Sequence, residues 1–148
     1  MPATNSEIAG IFENMATFLE MKGDSFFKIR AYQRAARTIE HLSFSLDQTV
    51  RDGMDLGEIP GFGSAISSKT RELIETGKMA AYEKLRAEFP EGVLDLSNVF
   101  GIGAKTALTI ARELGVSSID DLERAILDGR LAQLPRMGEK TAEKMLQH

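Results

Sequence analysis

Ile8, Ile11, Phe12, Met15, Phe18 and Leu19 recur at intervals of three and four residues, the spacing of a helix with one apolar face. Thr4-Asn5-Ser6-Glu7 ahead of them reads as a capping box, and Gly23 after Lys22 as the stop. A second helix is expected from Asp24 to about His41, with Phe26, Ile29, Ala36 and Ile39 on its inner side. Its other side gathers Lys28, Arg30, Arg34 and Arg37. Ser45 caps a short helix that ends at Gly53. Further helices are expected at 63–76, stopped by Gly77, and at 79–89, ended by Pro90. Beyond these the pattern predicts helices at 93–99 and 103–114, the latter closed by Gly115. Ser117 or Ser118 caps a connecting helix through Leu127, with Asp120 and Asp121 in its first turn, and Gly129 ends it. No stretch sustains a two-residue alternation, so the expected fold is all-α with no sheet. Two breakers close together, Pro90 and Gly92, divide it into subdomains at 1–90 and 91–148.

One short pattern recurs between these helices. Ile59-Pro60-Gly61-Phe62-Gly63 leads into the helix that begins Ser64-Ala65-Ile66. Forty residues on, Val99-Phe100-Gly101-Ile102-Gly103 leads into Ala104-Lys105-Thr106. Leu134-Pro135-Arg136-Met137-Gly138 is a degraded third copy. Pro60 pre-sets φ for the bend, and Gly61 and Gly63 are expected to permit positive φ and leave no Cβ in the way of a ligand. Ile59, Phe62 and Ile66 can pin the bend to a core. Each copy would then present backbone N–H groups at a helix N-terminus, an arrangement that favours an anion. The competing explanation is a compact turn whose glycines serve only close packing.

Composition changes the picture modestly. The 148 residues carry a net charge of −4, spread evenly. Residues 1–90 hold 11 basic and 13 acidic side chains, and 91–148 hold 7 and 9. Bulk charge thus argues mildly against a nucleic-acid partner, which would have to rely on local patches and backbone dipoles. The clearest patch lies between Lys22 and Arg37, with five basic residues against Asp24 alone. There is no cysteine, which excludes disulfides and thiolate zinc sites and fits an intracellular protein. No secretory signal and no membrane-spanning run is visible. The expected location is the cytoplasm, at the nucleoid through DNA binding. The chain ends at Met145-Leu146-Gln147-His148 without a helix stop and reads as part of something longer.

The apolar-x-Gly-apolar-Gly bend resembles the helix-hairpin-helix motif, whose amide donors take DNA phosphates without reading bases. The resemblance implies phosphate contacts at Gly61, Gly63 and Ser64 and at Gly101, Gly103, Ala104 and Lys105. It also implies a monovalent cation, Na+ or K+, on the carbonyls of Gly57, Ile59 and Phe62 and of Ser97, Val99 and Ile102. Oxygen-only ligation suits such a hard ion. Arg136 replaces the first glycine of the third copy, which is expected to pack against the second hairpin, the alternative being a side-chain phosphate contact from Arg136.

The order of parts is more specific. Phe27-Lys28-Ile29-Arg30-Ala31-Tyr32-Gln33-Arg34 precedes the first hairpin, Lys69 lies on the helix after it, and a second hairpin follows. Over essentially the whole chain this resembles the amino-terminal region of family X DNA polymerases, the DNA polymerase beta family, and most nearly its bacterial branch. The resemblance implies a lyase-type domain at 1–90 and a duplex-binding subdomain at 91–148. The palm with its divalent metals would lie beyond His148. No Asp-x-Asp is present, so this stretch cannot polymerise DNA. In such relatives the lysine matching Lys69 forms a Schiff base with the aldehyde of a 5′-deoxyribose phosphate, and elimination follows. Lys28 and Tyr32 match positions that hold the 5′-phosphate, with Arg30 and Arg34 in the same basic patch. Two departures are visible. Ala65 stands where beta-type enzymes carry another phosphate-contacting lysine, and Phe27 where they carry a histidine.

Three readings follow. The first is the gapped- or nicked-DNA-binding region of a bacterial family X repair polymerase, with a 5′-deoxyribose-phosphate lyase in base excision repair. The second is a non-enzymatic tandem hairpin module that binds DNA. The third is a helical protein-interaction domain that binds none.

Overall fold

The computed structural model describes residues 4–99 and 102–134. The third hairpin pattern, from Pro135 onward, and the pair Phe100-Gly101 lie outside them. Among the described residues every regular element is helical. The chain divides into two compact units, Met1–Ala87 and Glu88–His148.

In the first unit α1 spans Asn5–Lys22. Thr4 caps it, its hydroxyl accepting from the Glu7 N–H at 3.1 Å and donating to the Glu7 carboxylate at 3.1 Å. Gly23 closes it with a positive φ. Helix α2 spans Phe26–Glu40, two residues shorter at its start than the pattern suggested, because Ser25 is the cap. The two helices pack along each other. Ile8, Phe12 and Phe18 of α1 and Ile39 of α2 are fully buried, each such side chain stabilising the fold by about 1.5–3 kcal/mol. Phe26 does not join them. It is 63% exposed, because α2 begins at Phe26 itself and the ring flanks the helix end, where the Arg30 guanidinium stacks 4.9 Å from its centroid.

Helix α3, Leu46–Arg51, is capped by Ser45. The Asn5 side chain ties its start to α1, donating to the Phe44 carbonyl at 2.8 Å and accepting from the Leu46 N–H at 2.9 Å. A single 3₁₀ turn, Leu56–Glu58, leads through the bend to α4, Ser64–Thr76. Thr70, fully buried on α4, is satisfied by donating to the Ile66 carbonyl at 2.8 Å. Helix α5, Ala80–Arg86, packs on α1 and stops well short of Pro90.

The second unit holds α6, Val93–Ser97, α7, Ala104–Leu114, and α8, Ile119–Leu127, then a 3₁₀ turn at Leu131–Gln133. Helix α6 packs on α7 and α8. Val93, Leu96, Ile110, Leu122 and Leu131 form its buried core. Ser118 is the cap of α8, its hydroxyl accepting from the Asp121 N–H at 3.0 Å. Gly92 has φ +81, and a Cβ built there would fall 1.9 Å from the Ser117 carbonyl oxygen, so no larger residue fits without a backbone shift.

Candidate nucleic-acid interface

The described residues of the two hairpins share four backbone hydrogen bonds. In the first, the Glu58 N–H donates to the Asp55 carbonyl at 3.4 Å and Ile59 to Leu56 at 3.1 Å. Phe62 donates to Ile59 at 3.0 Å and Ser67 to Gly63 at 3.0 Å. In the second, Asn98 donates to Asp95 at 3.2 Å, Val99 to Leu96 at 3.1 Å, Ile102 to Val99 at 3.0 Å and Ala107 to Gly103 at 2.9 Å. Every donor and acceptor is displaced by 40 positions. Two apolar positions are buried in both, Leu56 and Phe62 matching Leu96 and Ile102. Leu56, Ile59, Phe62 and Ile66 are buried beneath the first bend, and Leu96 and Ile102 beneath the second.

The glycines divide into two kinds. Gly61 has φ +89, which an L side chain rarely adopts, so the bend requires glycine there. Gly63 does not have the positive φ expected of it, and Gly103 has the same conformation. They lie at φ −75, ψ 174 and φ −85, ψ 173, ordinary extended backbone. A Cβ added at either would meet nothing within 4 Å. Neither conformation nor internal packing therefore demands glycine. Both are helix N-caps, where Ser, Asp or Asn would hydrogen-bond the first-turn amides, and neither helix has a side-chain cap. Glycine leaves those donors bare and the space outside them open.

The two lysines are not equivalent. Lys105 sits two residues past Gly103 and is exposed, and the matching position of the first hairpin is the exposed Ala65. Lys69, half-buried on the second turn of α4, matches Thr109.

Lys28, Arg30, Arg34 and Arg37 are exposed on α2. Among the described residues none of the four makes an ion pair. The helix reaches the first hairpin through Thr38, whose hydroxyl would lie 3.5 Å from a Cβ on Gly61. Arg34 is one turn from that contact. Lys28 is ten residues up the helix, about 15 Å along its axis. Tyr32 is half-buried, its ring stacked on Phe12 at 5.9 Å. Pattern reasoning missed Thr38 as the joint between basic helix and bend. It also missed Asp55, whose carboxylate accepts from the Gly57 N–H at 2.8 Å and fixes the 3₁₀ turn. Gly101 lies outside the described residues, as does Arg136. No cluster of three or more His, Cys, Asp or Glu able to hold a metal occurs among the described residues. No helix there is long and apolar enough to cross a membrane.

Residues 3–79 match the family described as Helix-hairpin-helix domain. The chain belongs to that family. Residues 93–148 match a second helix-hairpin-helix family, described as SAM-like Helix-hairpin-helix tandem. The helix-hairpin-helix chain is 32% identical over 141 residues to the DNA polymerase/3′-5′ exonuclease PolX of Bacillus subtilis (strain 168), covering 95% of this chain and 24% of the relative. It is 28% identical over 88 residues to the Holliday junction branch migration complex subunit RuvA of Acidovorax sp. (strain JS42), covering 60% of this chain and 46% of that protein. The RuvA subunit of Bordetella petrii is 34% identical over 91 residues, with 60% and 46% covered. The chain thus spans about a quarter of the polymerase relative and under half of the RuvA relatives.

Proposed function

We propose that this helix-hairpin-helix chain binds DNA without reading sequence, as the DNA-holding region of a family X repair polymerase, and that it grips a gap or nick by its 5′-phosphate. The observation that carries the reading is the pair of bare N-cap glycines, Gly63 and Gly103, in hairpins with the same hydrogen bonding. A phosphate seated there would take main-chain N–H donors at the positive end of a helix. Ser64 and Ala104 supply the next amides, and Gly61, at φ +89, lets the first bend turn toward the ligand. Lys105 adds a side-chain charge in the second hairpin. Arg34 and Arg30, with Lys28 farther along, would hold the phosphate at the gap. The match to a DNA polymerase/3′-5′ exonuclease over nearly all of this chain supports the polymerase context.

Backbone carbonyls suit a hard monovalent cation better than any side chain here. The Ile59 and Val99 carbonyls each accept one hydrogen bond and keep a second lone pair. With Gly57 and Phe62, and with Ser97 and Ile102, they would hold Na+ or K+, which supplies positive charge beside the phosphate.

Lys69 is the proposed nucleophile of a 5′-deoxyribose-phosphate lyase. Its amine would add to the sugar aldehyde and expel water to form an imine. Loss of the C2′ proton then breaks the C3′–O bond and leaves a 5′-phosphate on the DNA. One observation favours a second reading, a holding module without catalysis: Ala65 provides no cation where the second hairpin has Lys105.

The test is fluorescence anisotropy on gapped duplex, with and without the 5′-phosphate, across a salt series. With roughly four phosphates neutralised, log K should fall against log salt with a slope of about −3 to −4. A slope near zero, or equal affinity for the two duplexes, defeats the reading.

A further inference from the structure

An apolar groove of about 650 Å³ lies in the first unit, lined by residues between Leu42 and Pro60, which precede Gly63 in sequence. Leu42, Phe44, Met54, Ile59 and Pro60 supply its apolar lining, with Phe44 45% and Met54 56% exposed. Asp52, Asp55 and Glu58 add three carboxylates, and no Lys, Arg or His lines it. Asp52 is held by the Gln48 amide at 2.8 Å and Asp55 by the Gly57 N–H, while Glu58 makes no ion pair among the described residues. Arg71 donates to the Met54 carbonyl at 3.3 Å and pairs with Glu75 at 3.4 Å, and Arg51 pairs with Asp47. Such a site repels DNA. It selects an apolar group carried beside positive charge.

The same chain displays that chemistry at the other end of α2. Phe27 is 84% and Phe26 63% exposed, unusual for phenylalanine, and they adjoin Lys28, Arg30 and Arg34. A molecule cannot fill its own groove. Leu42 and Phe44 follow the C-terminal end of α2 and Phe27 is on its first turn, so the helix holds the two sites ~20 Å apart.

We propose that this groove receives Phe26 and Phe27 of a second copy of the chain, with the basic residues of the donor copy's α2 facing Asp52, Asp55 and Glu58 of the acceptor. The contact is heterologous, since each copy offers a different surface. It uses the α2 patch that the proposed DNA reading also uses, so gapped DNA and a second copy compete for it. That clause rests on the DNA reading, and the self-association does not.

The experiment is sedimentation equilibrium of the full chain at low ionic strength, without DNA. The mass should rise with concentration above the 16.3 kDa of one chain. Phe27→Ser and Glu58→Lys, both at exposed positions, should each weaken association at least about tenfold while circular dichroism shows the fold intact. Mixing these two variants should restore a heavier species, because one keeps its groove and the other its phenylalanines. Merely destabilised proteins would not complement each other. A mass that stays monomeric at every concentration, or a mixture no heavier than its components, overturns the proposal. Adding gapped duplex should return the wild type to one copy per DNA. Association undiminished by DNA that anisotropy shows to be bound would overturn the shared patch. If anisotropy shows no binding, it is the DNA reading that has failed.

Discussion

Gly61 rests against Thr38, so closely that a Cβ on the glycine would come to 3.5 Å from the threonine hydroxyl. This joint sets the first hairpin beside the last turns of α2. Gly61, at φ +89, and Gly63, in extended backbone, have different tasks, and they should respond oppositely to substitution.

Gly61→Ala forces an L side chain to φ +89 and should cost about 1–2 kcal/mol of stability, read as a lowered Tm. Gly63→Asp should leave stability unchanged or raise it by a few tenths of a kcal/mol, since aspartate caps a helix better than glycine. Yet it should lower DNA affinity at least about tenfold, because its carboxylate occupies the bare amides and repels phosphate. Gly103→Val should likewise weaken binding more than Lys105→Ala does. Thermal melts beside anisotropy check all four, and a Gly63→Asp protein that binds normally would exclude the amide site.

Ala65 is the position that Lys105 holds in the second hairpin. Ala65→Lys should therefore tighten binding to DNA with a 5′-phosphate and steepen the salt slope by about one unit. An unchanged slope would mean that phosphate does not approach the first turn of α4.

Borohydride should trap a covalent adduct between the wild-type chain and DNA carrying a 5′-deoxyribose phosphate. Lys69→Ala should remove most of the adduct and spare affinity for gapped duplex. Lys28→Ala should lower both, and Tyr32→Phe should have a smaller effect on each. Peptide mapping decides the outcome: an adduct on Lys28 or Lys78 that survives Lys69→Ala reassigns the nucleophile, and no adduct leaves a holding module.

Asp121 gives the second unit an acid limb. Its carboxyl is held below the usual value of 3.8, first by the Ser117 backbone N–H, then by the Ser117 hydroxyl, with Arg124 beside it. A carboxyl lowered in the folded state stabilises above its unfolded pKa and loses that contribution as pH falls through the folded one. Melting temperature should therefore drop as pH falls below about 4, and Asp121→Asn should flatten that part of the curve. An identical acid limb in the variant would place the sensitivity elsewhere.

Helix starts and stops were legible where one residue decides them. Thr4, Ser45 and Ser118 cap as their side chains suggest, and Gly23, Gly77 and Gly115 take the positive φ of a helix stop. Ile59, Phe62 and Ile66 could be read as the anchors of the bend, and all three are buried. What could not be read depends on neighbours. Helical spacing put Phe26 on the inner side, but spacing does not say where the partner helix ends. A Gly-x-Gly pattern suggests backbone freedom at Gly63, yet Gly63 and Gly103 have an ordinary φ with empty space beside them, which depends on how the chain folds around the bend. The mismatch of Lys69 and Lys105 was available all along in the 40-residue offset.

The donors that Gly63 and Gly103 leave uncovered are main-chain amides. An amide has no proton to lose anywhere near neutrality and no amine for an acylating agent to modify. A clamp made of such groups cannot be tuned by side-chain chemistry, only blocked by adding bulk or charge in front of it. It is also invisible to charge counting, which is how a chain of net charge −4 can carry two sites suited to an anion.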